Sequence, residues 1–369
     1  AFLFKIQKAG LAMKNLFSAQ FYALRKNKLV IWGVVFLLIA AICLICAACF
    51  VPTGSTETPP SRFDKEATIK NLELTRAFAL WNIYTFEGKP TDEIYVPPGN
   101  IITISSSYFQ AKKDFAIADF WLKNIDRYAE YLTNGTECKL TFPFGNAPAS
   151  NATRGGVMMN NVVSISLFFF LISAVLLGNI FSHYDFSDGI AKNYYACNVT
   201  FSQLVRVKTL IATLVYALVA IAPIVFVACY GSITPDNLVL IYANGKAQLV
   251  SALTAQMSTM ALYFTLGWAF LVFSINIQLL VRNHWKTLLA ILGVFAGCFV
   301  IGALWEQYRI SAPQVLLYIP IYNIFSSTFI FSDWNFWLNL IGWTLLPVAT
   351  TELILWKNSR SRSPIQEKY

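Results

Sequence analysis

Six apolar runs punctuate the chain, at 30–51, 162–181, 210–230, 252–273, 287–305 and 336–356, each about 19 to 23 residues long. A helix needs about 20 apolar residues to cross the hydrocarbon of a bilayer. Lipid offers no partners to exposed backbone N–H and C=O groups, so runs of this length demand helices. The pattern therefore predicts an all-α polytopic membrane protein with six transmembrane helices. Composition agrees, since only 13% of the 369 residues are charged and mean hydropathy is +0.54. A soluble domain is about one quarter charged, so a soluble enzyme is excluded.

The net charge of +9 flanks the apolar runs, which reads as topology and not as nucleic-acid binding. With residues 1–29, 182–209, 274–286 and 357–369 inside, the inner segments hold 15 Lys and Arg against three acids. The outer segments, 52–161, 231–251 and 306–335, hold 13 basic and 15 acidic residues. Short inner loops are uniformly basic, as the positive-inside rule requires. Both termini are thus expected in the cytoplasm. The first run is read as a retained anchor, because it is too long for a secretory leader and no small-residue cleavage pattern follows it. Residues 313–331 (PQVLLYIPIYNIFSSTFIF) are nearly as apolar as a span, but Pro313, Pro320 and Asn323 make a poor straight helix in lipid. The segment 306–335 is expected to be re-entrant or to lie at the outer surface.

Residues 52–161 have ordinary polarity and are long enough for a small extracellular domain with its own core. Apolar residues Ala67, Leu74, Ala77, Phe78, Trp81 and Ile83 recur at roughly helical spacing, as do Phe115, Phe120, Trp121, Ile125 and Tyr128. Two amphipathic helices follow. Alternation over 100–105 and 138–142 suggests strands, so the domain is expected to be mixed α and β. Cys138 is the one cysteine assigned outside, which excludes a disulfide scaffold there. Cys43, Cys46 and Cys49 fall at i, i+3 and i+6 of the first span, a stripe read as helix packing before any soft-metal site.

Chemistry inside a bilayer needs ionisable side chains held in the spans, and Glu352 is the one that qualifies. It lies close to the inner surface, which favours an interfacial carboxylate over a gate or proton site. The two histidines, His183 and His284, sit on inner segments, so no zinc motif or serine triad faces outward. The phosphate-binding pattern G-x-x-x-x-G-K-[ST] is missing, so ATP-driven work needs another subunit. The chain is read as no enzyme by itself, with no cofactor of its own.

Met13, Leu16, Phe17, Phe21 and Leu24 form an apolar stripe opposite Asn15, Ser18, Tyr22, Arg25 and Lys26, interrupted by Gln20. This fits an amphipathic elbow over 1–29 at the inner membrane surface, acting either as a relay into the bundle or as a passive anchor. The second inner loop, 182–209, is far longer than a simple connection requires. Asp185 and Asp188 open it, Gly189 breaks it, and Ile190, Tyr194 and Cys197 mark an apolar face. Phe201, Leu204 and Val205 then belong to a second helix with Thr200 as candidate cap, running into the third span through Arg206 and Lys208.

On these residues the chain resembles the permease subunits of type-2 ABC exporters, in which an acidic residue, a glycine and a basic residue follow the second span. Asp188-Gly189-Ile190-Ala191-Lys192 is similar to that motif, with Ile190 where the family often has Thr, while Val199-Thr200-Phe201 departs from the usual Ser and Arg. The resemblance covers the six-span layout, the elbow, the coupling loop and the hairpin between spans five and six, but not the outer domain. It implies that Asp185, Asp188, Gly189, Lys192 and Tyr194 belong to a coupling segment docking on a cytoplasmic ABC ATPase, two per complex. The partner ATPase would bind ATP and Mg. It further implies a dimer with a second copy or a homologous permease, in a bacterial cell membrane, with the path between the halves. Thr254, Gln256, Ser258, Thr259 and Glu352 are the candidate path residues, although interhelical hydrogen bonding is the more usual role of such polar groups. An amphipathic peptide, as in toxin or bacteriocin export and immunity, is the expected cargo; a lipid or drug is the alternative. A membrane sensor using residues 52–161 as a ligand-binding domain is the competing class.

Overall fold

The computed structural model describes residues 15–22, 25–50, 64–96, 108–127, 154–187, 200–233, 238–243, 246–281, 283–308 and 334–360. Among them the fold is almost wholly helical: α1 (Lys28–Phe50), α2 (Lys65–Glu87), α3 (Tyr108–Lys123), α4 (Arg154–Ser187), α5 (Phe201–Ile233), α6 (Ala252–Val281), α7 (His284–Tyr308) and α8 (Trp334–Arg360). Strands β1 (Leu238–Ala243) and β2 (Lys246–Ser251) sit between α5 and α6. Every apolar run lies in one of these helices, apart from Val51 at the end of the first, and the helices overrun the runs at most ends. Among the described residues three stretches are long and apolar enough to cross a membrane: Val30–Ala47, Phe201–Cys229 and Gln256–Val281. Ile165–Phe181 and Trp285–Val294 are shorter apolar helical stretches. The structure thus has the character of an all-α membrane protein.

Helix α6 is the hub, packing against α4, α5, α7 and α8, while α1 lies against α4 and α5. Glycine sets the closest approaches. A Cβ on Gly178 of α4 would stand 2.7 Å from Ser274 Cβ and 2.9 Å from Leu271 O of α6, so the two backbones can meet only at a residue without a side chain. A Cβ on Gly267 would fall 2.0 Å from the Tyr216 hydroxyl. That space lets Tyr216, fully buried, stack on Phe264 at 5.1 Å and donate to Phe264 O at 3.2 Å, with Phe170 edge-on at 6.4 Å. An aromatic cluster therefore pins α4, α5 and α6 together at mid-bundle.

The two amphipathic helices expected outside form an antiparallel pair, α2 against α3. Asp64 caps α2 by accepting from the N–H groups of Glu66 (3.0 Å) and Ala67 (3.1 Å). Gly88, at φ 69°, ends it in the left-handed conformation that a side chain disfavours. Trp121, Ala118 and Ala111 of α3 and Ala79 and Ile83 of α2 are buried. Ion pairs Lys65–Asp126 (2.7 Å) and Arg76–Asp119 (3.4 Å) cross the pair, and Tyr108 closes its far end by donating to Glu87 at 2.6 Å. The expected strands at 100–105 and 138–142, and the re-entrant segment apart from 306–308 and 334–335, lie outside the described residues.

The β1–β2 hairpin was not foreseen. Its register runs from Leu238↔Ser251 to Ala243↔Lys246, leaving two connecting residues, and it packs against α3. The 231–251 segment and the 52–161 segment, both assigned outside, therefore meet in space. The cysteine stripe also differs from expectation. α1 packs through Val30, Leu37, Ala41 and Leu44, and Cys43 and Cys46 are exposed on another face with Trp32, Phe36 and Ile39. Cysteine's habit of burial is overridden here by the larger aliphatic residues on the packing face.

Candidate functional site

The polar residues with specific partners concentrate where α4 ends and α5, α7 and the last turns of α8 lie. Thr200 and Gln203 form a reciprocal cap on α5: the Thr200 N–H donates to Gln203 Oε1 at 3.0 Å, and the Gln203 N–H to Thr200 Oγ1 at 3.3 Å. The capping role expected of Thr200 is thus present, and Gln203 completes it. One turn on, Arg206 grips Glu352 of α8 with two of its three guanidinium nitrogens, Nε to Oε1 at 3.2 Å and Nη2 to Oε2 at 2.7 Å. Both side chains are 53% exposed, so the pair's value is geometric, fixing α5 against α8, and its net stabilisation is about 1 kcal/mol or less. Lys208, 6% exposed, donates to the Phe181 carbonyl of α4 at 3.1 Å. A buried ammonium is tolerated because it has a carbonyl acceptor on the neighbouring helix.

A second knot ties α8 to the hub. Asn276 of α6 donates to Pro347 O at 2.7 Å and to Thr350 Oγ1 at 2.9 Å, and accepts from Thr351 Oγ1 at 2.8 Å. Proline removes a backbone donor inside α8, and side-chain hydroxyls and a neighbouring amide cluster around that turn. Thr287 of α7 donates to Gln278 of α6, joining the start of α7 to the hub. Asn276, Gln278, Thr287 and Thr351 are buried and Thr350 half-buried, and each is hydrogen-bonded, which is how such residues persist between helices in an apolar medium.

Of the candidate coupling residues, Asp185 lies in the last turn of α4, which runs to Ser187, so the segment after the second apolar run begins as a continuation of the helix. Asp188, Gly189, Lys192 and Tyr194 lie outside the described residues. Of the candidate path residues, four lie on α6 but on two faces. Gln256 and Thr259 are buried toward the bundle, each 3% exposed. Thr254 is exposed and Ser258 half-buried on the other face, which continues through Ala261 and Thr265. Ser258 donates to Thr254 O at 2.8 Å and Thr265 to Ala261 O at 2.7 Å, so their hydroxyls are satisfied by their own helix. Glu352 is apart from this group, in its pair with Arg206.

The elbow stretch 15–22 is helical, with Leu16 buried and Phe17 packed against the core. Gln20, which interrupts the apolar stripe in the sequence, is buried, while Phe21 and Tyr22 are exposed. The stretch therefore turns a face centred on Leu16 and Gln20 inward. Among the described residues no group of three or more His, Cys, Asp or Glu gathers as a metal site would require. No family model, no curated protein and no solved structure matches the chain.

Proposed function

We propose that this chain is the transmembrane subunit of an ATP-driven ABC exporter, coupling hydrolysis by two separate cytoplasmic ATPases to cargo export. The observation that carries the reading is how the helices flanking residues 188–199 are tied. α4 and α5, which precede and follow that stretch in the sequence, are bonded to each other through Lys208 and Phe181, and α5 to α8 through Arg206 and Glu352. A push on that connection would enter three helices at once. In this reading all six long apolar helices cross a bacterial plasma membrane with both termini inside, and residues 52–161 form the outer domain. The meeting of the 238–251 hairpin with α3 supports that layout, because the alternation of the apolar runs puts both on the same side.

The reading needs two halves, each a copy or homologue of this chain. Gly293 and Gly297 of α7 support it: a Cβ on either would meet nothing within 4 Å, whereas Gly178 and Gly267 are filled by neighbours within the chain. The outward stripe of Thr254, Ser258 and Thr265 would then line a path between halves, its hydroxyls already bonded and so cheap to slide past. Amphipathic peptides are the favoured cargo; lipids or drugs fit the same scaffold. A ligand-sensing role for residues 52–161 is the other class.

Replacing Asp188 and Gly189 with bulky apolar residues tests the coupling segment. Membrane insertion should be normal and activation of the ATPase lost. Full activation by that double variant would reject the assignment.

A further inference from the structure

Three tryptophans stand exposed near the inward-assigned ends of three different helices: Trp32 of α1 (69%), Trp285 of α7 (76%) and Trp356 of α8 (54%). Packing contacts put them at similar depth. A Cβ on Gly33 would touch Ile180 of α4 at 3.0 Å, and Gly178, half a turn away, abuts Ser274 of α6. Asn276, next along α6, bonds Thr350 of α8, so Trp32 and the last turns of α8 belong to one end of the bundle. Gln278 bonds Thr287, which puts Trp285 at that end too.

Each tryptophan has a lysine beside it. Lys28 is one helical turn before Trp32, Lys286 follows Trp285 and Lys357 follows Trp356, all three exposed. The elbow repeats the pairing, with Lys26 Nζ 4.6 Å over the exposed Tyr22 ring. Among the described residues neither the Lys28 nor the Lys286 ammonium has a carboxylate partner. An exposed indole settles at headgroup level whatever the lipid. The lysine stem runs along the apolar surface and lifts its charge to the phosphate layer, which is what selects an anionic lipid.

We infer that this rim binds anionic phospholipid headgroups of the inner leaflet, in three sectors centred on α1, α7 and α8. The inference rests on the inward orientation of these ends in the proposed topology, and on nothing about the ATPase or cargo. Each lysine contributes about fivefold to the preference for an anionic over a zwitterionic headgroup in its own sector.

The test uses the purified full chain in neutral detergent, equilibrated with phosphatidylglycerol or phosphatidylcholine, with retained lipid counted by native mass spectrometry. Phosphatidylglycerol should be retained in preference, each of Lys28→Gln, Lys286→Gln and Lys357→Gln should weaken that preference, and the triple variant should lose it. The triple Lys→Arg variant should keep it. Equal retention of the two lipids, or an undiminished preference in the triple Gln variant, overturns the rim. So does equal protection against thermal unfolding by free glycerophosphate, which would mean a phosphate site without a leaflet role. Orientation is read separately by impermeant labelling of Lys357→Cys. Labelling from outside overturns the inner-leaflet assignment together with the proposed topology, whereas lost lipid preference alone overturns only the rim.

Discussion

Gly267→Ala isolates the close approach at the centre of the bundle. The added Cβ would lie 2.0 Å from Tyr216 Oη and 3.0 Å from its Cζ, so the ring must move by more than an ångström inside a fully buried cluster. Overpacking of this kind costs about 1–3 kcal/mol, and a 2.0 Å approach belongs at the upper end. Alanine returns about 1 kcal/mol of helix propensity, leaving a net loss of about 2 kcal/mol. Tyr216→Phe alone removes only the bond to Phe264 O, worth about 0.6 kcal/mol for an interhelical bond in a bilayer-type core. In the double variant the clashing oxygen is gone and the alanine gain is kept, so its stability should fall within about 1 kcal/mol of the parent. The two substitutions should therefore couple by about 3 kcal/mol, the double variant being more stable than Gly267→Ala. Reversible unfolding in mixed micelles, followed by tryptophan fluorescence, measures all four corners. Coupling below about 0.5 kcal/mol would refute the packing argument.

Asn276→Leu should loosen α8 from the hub by about 2 kcal/mol, three interhelical bonds at roughly 0.6 kcal/mol each, seen as faster hydrogen exchange in α8 than in α4. Arg206→Glu should weaken the same region by at most about 1 kcal/mol, and the swap Arg206→Glu with Glu352→Arg should restore it, read by the same exchange experiment. The α2–α3 pair should be acid-sensitive. Hydrogen bonds from Lys89 and then Tyr108 hold the Glu87 carboxyl below the ordinary glutamate range. A depressed folded pKa means that the contribution is present at neutral pH and lost as pH falls through that lowered value. Tyr108→Phe should shift the acid-unfolding midpoint of α2 and α3 upward in circular dichroism, and an unchanged midpoint would count against the contact.

The helices were legible because length and apolarity speak directly to the bilayer, yet their ends were not. α4 covers 34 residues where the apolar run has about 20, since a helix continues into water as long as its residues tolerate it. The amphipathic faces of α2 and α3 could be read from spacing, because one side of each meets the other. The β hairpin has a local signal, since Asn244-Gly245 between two apolar stretches is a strong hairpin sequence. The Arg206–Glu352 pair joins residues 146 apart and leaves no local trace, so Glu352 could be seen as unusual but its partner could not. Nor does sequence separate Gly178 and Gly267, which are filled, from Gly293 and Gly297, which are open. Burial of Gln20 is a similar case, where the neighbouring helices outweigh the residue's own polarity.

In the proposed function this chain hydrolyses no nucleotide and receives its work through residues 188–199. ATP turnover by the purified chain alone, and by the chain reconstituted in vesicles with the proposed cytoplasmic ATPase, tests that claim most directly. The expected result is no turnover from the chain alone, and turnover from the complex that the chain accelerates and the Asp188 and Gly189 substitutions return to the rate of the isolated ATPase. Hydrolysis by the chain alone, or an ATPase indifferent to its presence, would contradict it.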